Sequence, residues 1–526
     1  MSLYLTKVAA LFRFVFHVAD PEPVDYPFTA SDVGQLQRIA CDPSVAPVDQ
    51  PTWSGLLLDP YFAMLTGQVS IFGKQVLHQR LCDGLGDTAR AALTARLRSL
   101  MSDPTQLEAL RRASVPLRAA DTEIAALLLE ESLPAIPQWS GAMWLLFVGL
   151  AASVAAVALS PAAWLGALFC LYQLMSIQIR YHERVSAWER AMHALQMLLR
   201  TSSLLGTLKF PMLDAFAKAA PLASKINRGL TRSPGLDLVP GMRAYLDWFL
   251  LANVSHYFKG IEIVRANREV LRECYARCAN LEADIALAQH LLRMPSTCWA
   301  ERGRDDCLGL DQAVHPLLHE PAALSIALQG RGAFISGQNG IGKSTLLRTI
   351  GLNLLVARAF GFCYAGKATL PMLPVYASMQ SEDSLLGGES LYIAELQRAR
   401  ELLASAAGPH RATYIIDEIF RGTNHLESVS AAAAVLNVLA ANSVVIVSSH
   451  NLVLASLLEH RLAAFCVALD GDGALKLAPG LLAHTNGIAL LAQRGFGAGV
   501  EAGAARVFEW LSGYLAEPVG GSEVLA

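Results

Sequence analysis

The sequence contains few charged residues for its length. Of its 526 residues, 17% are Asp, Glu, Lys or Arg and 53% are hydrophobic, whereas about a quarter of the residues in soluble domains are charged. A chain this apolar does not stay disordered, because disorder needs low hydrophobicity and high net charge. The net charge of -3 also lacks the positive excess typical of nucleic-acid-binding proteins, but it does not exclude a local basic face.

Charged side chains are missing altogether from residues 132–179, a stretch of 48 residues. Because about 20 apolar residues cross a bilayer, this stretch is long enough for two crossings. Ser160–Pro161 suits the turn between them, since proline ends helices. We therefore expect a transmembrane helical hairpin with arms at 140–159 and 162–179. The alternative is a helical hairpin buried in a large soluble core.

The residues that follow this stretch indicate its orientation. Arg180, Arg184 and Arg190 come directly after the second arm, and positive residues favour the cytoplasmic side of a membrane. A hairpin returns the chain to the side from which it started. We therefore expect the protein at the cytoplasmic (inner) membrane, with the rest of the chain facing the cytoplasm.

The segments outside the hairpin differ in their patterns. Residues 1–131 and 180–300 carry apolar residues three and four positions apart, as helices do. In residues 301–495 short β-rich runs alternate with helical runs, which predicts a parallel sheet covered on both faces. A helix and tail at 496–526 complete the chain. The expected fold is a helical core with lever arms and an inserted transmembrane hairpin at 132–179, followed by an α/β P-loop domain.

A phosphate-binding loop is the strongest chemical signal. Residues 337–345 read GQNGIGKST, which matches G-x4-G-K-S between a strand-like and a helix-like run, as a P-loop requires. Lys343 is expected to reach the β- and γ-phosphates and Ser344 to bind Mg²⁺. The residues expected to contact the nucleotide are Gly337, Asn339, Gly340, Gly342, Lys343, Ser344 and Thr345.

Two further signals come at the ends of apolar runs. Asp417 and Glu418 follow the run TYII; Asp417 would hold Mg²⁺ through water, and Glu418 would act as the general base that polarises the attacking water. His450 follows VIVSS and could contact the γ-phosphate. The catalytic candidates are thus Lys343, Glu418 and His450. Taken singly, the acidic pair could be a helix cap and His450 an ordinary loop residue.

These motifs together resemble those of the MutS family. GQNGIGKST is similar to the family's G-x-N-x-x-G-K-S-T, IIDEIFRGTN to its D-E-x-x-R-G-T, and the segment from Gly388 to Tyr392, with Glu395, to its G-x-S-x-F/Y-x-x-E signature. The serine–histidine pair at 449–450 resembles the family's switch. A shorter stretch with Gly73 and Lys74 resembles the element that opens the family's helical core.

The resemblance implies an ATPase of the ABC and MutS type, with ATP and Mg²⁺ as cofactors. It implies a homodimer through the ATPase domains, in which each ATP lies between the P-loop of one subunit and the signature of the other. Ser390 would then contact the partner subunit's γ-phosphate. Gln380 and Asp383 lie where the family often has polar residues that sense the nucleotide.

Two departures from the family pattern shape the expected function. Mismatch-reading members carry a Phe-x-Glu wedge, and no Phe-x-Glu occurs in the first 60 residues. The helical body carries an apolar hairpin instead. We therefore expect a membrane-anchored MutS-like ATPase that couples ATP hydrolysis to movement of its helical arms, with DNA as an optional partner and without mismatch specificity. The alternative is an ABC-type membrane ATPase that acts on a protein or lipid partner without binding DNA.

Overall fold

The computed structural model divides the chain into two compact units. The first contains residues 1–35, 68–75 and 105–282, and the second contains residues 36–67, 76–104 and 283–526. The boundaries expected from the sequence stay predictions. The residues that the structure describes are 26–42, 45–130, 133–232, 242–379, 391–408, 410–469, 475–482 and 487–514.

Helices account for most of the described chain before residue 297. Short 3-10 helices occur at Val115–Ala119, Gln138–Ala142 and Pro211–Leu213. The α-helices up to that point are α1 (Ala30–Ile39), α2 (Gln50–Gly55), α3 (Leu58–Thr66), α4 (Ile71–Asp83), α5 (Asp87–Ser102), α6 (Pro104–Ser114), α7 (Ala125–Leu129), α8 (Trp144–Ala156), α9 (Ala163–Leu205), α10 (Asp214–Leu230), α11 (Met242–Phe249), α12 (Ala252–Ala266) and α13 (Arg268–Arg293).

The uncharged stretch forms a pair of helices, α8 and α9, and Ser160–Pro161 lies in the turn between them. The expected second arm at 162–179 lies at the start of α9, which is 43 residues long and ends at Leu205. The charged residues after position 179 form helix readily, and α9 contains no proline to interrupt it.

Fewer helical stretches than the two expected from the sequence are long and apolar enough to cross a membrane in the described residues. Among the described residues one helical stretch, Gln138–Ala156, is long and apolar enough to cross a membrane, and none of its apolar window is buried. The expected pair of crossings therefore stays a prediction. Large apolar side chains are nevertheless exposed on both helices: Trp144, Leu145, Phe147, Val148, Val154, Trp164, Leu165, Leu168, Phe169, Tyr172, Met175 and Ile179.

A buried carboxylate organises the start of α4 in the first unit. Glu282, on α13, accepts hydrogen bonds from the backbone N–H groups of Ser70 (2.9 Å) and Gly73 (3.1 Å). Burial raises the pKa of Glu282, and these hydrogen bonds act against that shift. A Cβ on Gly73 would lie 2.5 Å from Val69 Cγ1 and 2.9 Å from the Glu282 carboxylate. Glycine at position 73 therefore leaves room for the carboxylate at the helix N-terminus.

The second unit contains the predicted α/β domain. In the described residues its strands form a six-stranded main sheet, a four-stranded sheet and a two-stranded sheet.

The strands are β1 (Cys298–Trp299), β2 (Glu301–Arg302), β3 (Cys307–Ala313), β4 (Leu324–Gln329), β5 (Gly332–Gly337), β6 (Phe362–Cys363), β7 (Lys367–Leu370), β8 (Val375–Ser378), β9 (Thr413–Asp417), β10 (Val444–Ser448), β11 (Leu462–Leu469) and β12 (Leu475–Pro479). The main sheet has the strand order β12-β11-β5-β10-β9-β8, with parallel pairing except between β11 and β12. The second sheet has the order β2-β7-β3-β4, and β1 pairs with β6. The α-helices of this part are α14 (Lys343–Phe360), α15 (Leu391–Ala406), α16 (His425–Leu439), α17 (Val453–Leu457), α18 (Gly487–Gln493) and α19 (Ala498–Tyr514).

The register of the central strands positions the candidate site. Strand β10 lies between β5 and β9, and Ser448 at its end is opposite Ile335 on one side and Asp417 on the other. All residues of these three strands are buried. Because parallel strands end at the same edge of a sheet, the segments after Gly337, Asp417 and Ser448 come together there.

Candidate nucleotide-binding site

The loop between β5 and α14 has the backbone that a phosphate-binding loop needs. Gly340 and Gly342 adopt left-handed conformations, with φ of 76° and 100°, which glycine adopts without a steric penalty. The first turn of α14 follows directly, so its free N–H groups and partial positive charge are available to an anion. Within this segment Asn339 and Thr345 are exposed and Ser344 is half-buried.

The ammonium group of Lys343 lies inside this loop. Its Nζ donates to the carbonyl oxygens of Gly337 at 2.9 Å and Gln338 at 3.0 Å. Burial lowers the pKa of Lys343, while the carboxylates of Glu418 and Asp417 raise it. The loop carbonyls thus hold a buried cation that a phosphate group could bind instead.

Asp417, the last residue of β9, fits a magnesium ligand. Its Oδ1 accepts a hydrogen bond from Ser448 Oγ at 2.5 Å, while Oδ2 is buried and has no hydrogen-bond partner among the residues that the structure describes. A buried carboxylate oxygen without a partner is costly, and a cation would satisfy it. Mg²⁺ is commonly bound by one or two carboxylates together with substrate phosphates. Asp417 and the Ser344 hydroxyl are therefore the residues that would hold it.

No larger metal cage is present in the part of the chain that the structure describes: no group of three or more His, Cys, Asp or Glu side chains there could hold an ion.

Glu418 and His450 are in direct hydrogen-bond contact. Glu418 Oε1 lies 2.9 Å from His450 Nε2, and Glu418 Oε2 lies 3.6 Å from Arg421 Nε. The hydrogen bond from His450 lowers the pKa of Glu418 most, burial opposes the shift, and the charges of His450, Arg421 and Lys343 add to it. The carboxylate is thus held in the ionised form that a general base needs.

Two contacts of the site were missed by sequence reasoning. The first is the hydrogen bond from Ser448 to Asp417. A polar residue at the end of the buried strand next to β9 was the sequence signal that could have indicated it. Glu395 accepts hydrogen bonds from the backbone N–H groups of Arg421 and Gly422. The sequence had marked Glu395 only as part of a motif.

Part of the predicted site lies outside the described residues. This applies to Ser390, to Gly388 before it, and to Gln380 and Asp383. The structure therefore brings together Lys343, Asp417, Glu418 and His450 at one edge of the sheet, and the role assigned to Ser390 stays a prediction.

Comparison with known proteins covers this same part of the chain. Residues 333–476 match the family MutS domain V. Over 184 residues the sequence is 30% identical to the DNA mismatch repair protein MutS of Thermus thermophilus, a match that covers 34% of this chain and 22% of that protein. Over 183 residues it is 28% identical to the DNA mismatch repair protein msh3 of Emericella nidulans, covering 33% of this chain and 16% of that protein. The chain thus matches less than a quarter of the length of these curated relatives.

The hydrogen bond between Glu418 and His450 predicts how the rate of ATP hydrolysis depends on pH. His450→Ala removes the largest cause of the lowered pKa of Glu418, so the carboxylate becomes protonated at a higher pH. We expect the acidic limb of the pH profile of kcat/KM for ATP hydrolysis to move to higher pH. His460→Ala, which removes an exposed histidine bonded to Asn437, is the control and should leave that limb in place. An acidic limb unchanged in His450→Ala would contradict this account of the pair.

Proposed function

We propose that this chain, whose residues 333–476 match MutS domain V, binds and hydrolyses ATP at a composite site formed by two copies of the chain. One observation supports this most: the register of β5, β10 and β9 brings Lys343, Asp417, Glu418 and His450 to a single sheet edge. This set combines a cation and helix N-terminus for phosphates with a carboxylate–histidine pair beside them.

The proposed chemistry assigns one task to each group. Lys343 and the N-terminus of α14 bind the β- and γ-phosphates and offset the charge that develops on them. Glu418 orients and polarises the attacking water, and His450 holds its carboxylate in place. Mg²⁺, held by Ser344 and Asp417, would supply further neutralisation of the phosphate charge.

The second copy would complete the site. The side chain of His450 is 49% exposed and Thr345 is exposed, so the phosphate-binding edge has an accessible face. In our proposal the Ser390 segment of the partner subunit covers this face and contacts the γ-phosphate. Closure of the dimer on ATP would then be the step that moves the helical arms.

We further propose that α8 and the first part of α9 anchor the protein in the cytoplasmic membrane, with the ATPase domain facing the cytoplasm. Support comes from the uncharged stretch and from the exposed apolar side chains on both helices. A soluble surface rarely exposes such a continuous apolar patch. Arg180 and Arg184, both exposed after the apolar part of α9, suit the cytoplasmic headgroup region.

The partner on which the ATPase acts could be DNA, or it could be a protein or lipid. The relatives named above are DNA mismatch repair proteins, which favours DNA as a partner, here without mismatch specificity. The alternative is an ABC-type ATPase acting on a protein or lipid. Duplex binding that weakens steeply with salt, as phosphate contacts do, would support the first. No binding of duplex, junction or mismatched DNA at low salt would leave the second.

The composite site predicts opposite effects for two variants. Glu418→Gln removes the general base but keeps the nucleotide contacts, so it should accumulate as an ATP-bound dimer. Lys343→Ala removes the buried cation and should abolish nucleotide binding and dimer closure. The measurements are phosphate release, binding of a fluorescent ATP analogue and mass by light scattering in detergent, each with and without ATP. Hydrolysis at the unchanged rate in both variants would contradict the proposed site.

The membrane proposal predicts how charge placed on the hairpin acts. Each Asp near the bilayer centre costs about 2.5–3.5 kcal/mol, so Val148→Asp combined with Phe169→Asp should shift the protein from the membrane to the soluble fraction. Leu426→Asp, at an exposed apolar position in α16, is the matched control and should stay with the membrane. Fractionation and vesicle flotation measure the distribution. Wild-type protein that does not float with vesicles would contradict the anchor.

A further inference from the structure

The loop that carries Glu418 has an unusual backbone. Glu418 and Phe420 have φ values of 56° and 57°, so two side-chain-bearing residues within three positions are left-handed. Such conformations persist only where surrounding contacts hold them. The Glu418 N–H donates to Ser448 O at 3.0 Å, which fixes the start of the loop. Its continuation at 420–422 needs a separate support.

Glu395 on α15 provides that support. Its Oε2 accepts from Arg421 N at 2.8 Å and from Gly422 N at 3.3 Å, and carboxylate acceptors make the stronger backbone hydrogen bonds. Its Oε1 lies 3.5 Å from Arg421 Nε. The same guanidinium nitrogen is 3.6 Å from Glu418 Oε2, so Arg421 lies between the two carboxylates. The Glu395 side chain is only 14% exposed.

The start of α15 also packs directly on the loop. A Cβ on Gly422 would lie 2.7 Å from Tyr392 Cβ and 2.8 Å from Tyr392 N, so only glycine permits this approach of the two backbones. The ring of Tyr392 meets that of Phe420 edge to face, with centroids 6.2 Å apart. The loop and the first turns of α15 are thus joined by hydrogen bonds, a close backbone contact and a ring contact.

We propose that Glu395 is a positioning residue for ATP hydrolysis: it holds the backbone at 421–422 and thereby keeps Glu418 in its left-handed conformation against His450. The inference rests on the proposed function. The supporting contacts all lie within the described residues: the two hydrogen bonds to the backbone of Arg421 and Gly422 and the approach of Tyr392 to Gly422.

The test compares matched variants of α15 in the full-length protein. In Glu395→Ala we expect kcat for ATP hydrolysis to fall by about 10-fold to 100-fold, because the base is displaced by a fraction of an ångström to an ångström. KM and binding of a fluorescent ATP analogue should change by less than about 3-fold, because the P-loop is intact. Glu401→Ala is the control; Glu401 lies on the same helix and pairs with Arg398 instead.

Two further variants separate positioning from general destabilisation. Glu395→Gln keeps an acceptor oxygen and should recover part of the lost kcat. Gly422→Ala pushes the loop away from Tyr392, so it should reproduce the loss of kcat. In the double variant Glu395→Ala/Gly422→Ala, the fold-loss of kcat should be smaller than the product of the fold-losses in the two single variants. Thermal unfolding should show every variant folded at the assay temperature, even where the melting temperature falls, so that the loss of kcat is not a loss of folded protein.

The outcomes distinguish the two levels of the proposal. A wild-type protein that binds no ATP or does not hydrolyse it would overturn the proposed function and this inference with it. The role of Glu395 alone would be overturned if the wild type hydrolyses ATP and Glu395→Ala has the kcat of the wild type. It would also be overturned if Glu395→Ala loses nucleotide affinity by the same factor as kcat.

Discussion

The parallel pairing of β10 with β5 on one side and β9 on the other is the constraint on which the site depends. Ser448 at the end of β10 lies opposite Ile335 and Asp417, and this register sets how far each loop extends from the sheet edge. A shift of one residue would turn every side chain of the strand to the other face. Because all three strands are fully buried, the hydrophobic contacts of both faces fix the register.

Charge balance is the second constraint on this edge. Asp417 and Glu418 bring two carboxylates into a partly buried region, and burial opposes the ionisation of Glu418. Lys343, Arg421 and His450 offset this cost, each from a different segment. Within the described part of the chain, Asp417 Oδ2 is a buried polar atom at this edge without a hydrogen-bond partner. The arrangement is thus complete on the side of the base and open on the side where a cation and phosphates would bind.

Much of this site could be predicted from the sequence because its signals are local. The loop at 337–345 has glycines at positions that need left-handed backbone, and apolar runs ending in Asp417 and Ser448 indicate buried strands. The left-handed conformation of Glu418 could not be predicted, because it is imposed by contacts with Ser448 and with α15. The support from Glu395 likewise depends on a helix start that no local pattern specifies.

The helical part shows the same limit. The helical pair and its turn at Ser160–Pro161 could be predicted from the uncharged stretch, whereas the two membrane crossings stay a prediction, because one helical stretch of the described residues is long and apolar enough to cross a membrane. The length of α9 could not be predicted, because helical propensity continues across the change from apolar to charged residues. The sequence marked Gly73 only as part of a motif. The structure shows why glycine is needed there: the buried Glu282 carboxylate, on a helix more than two hundred residues later in the chain, leaves no room for a side chain.

The most direct test of the account is the magnesium dependence of phosphate release by the purified full-length protein and by Asp417→Asn. We predict hydrolysis of ATP that requires Mg²⁺ and falls by at least about 100-fold in Asp417→Asn, because the asparagine cannot supply the negative oxygen that a metal-assisted phosphoryl transfer needs. Hydrolysis that persists in a chelator, or that is unchanged in Asp417→Asn, would contradict the assignment of this sheet edge as the catalytic site.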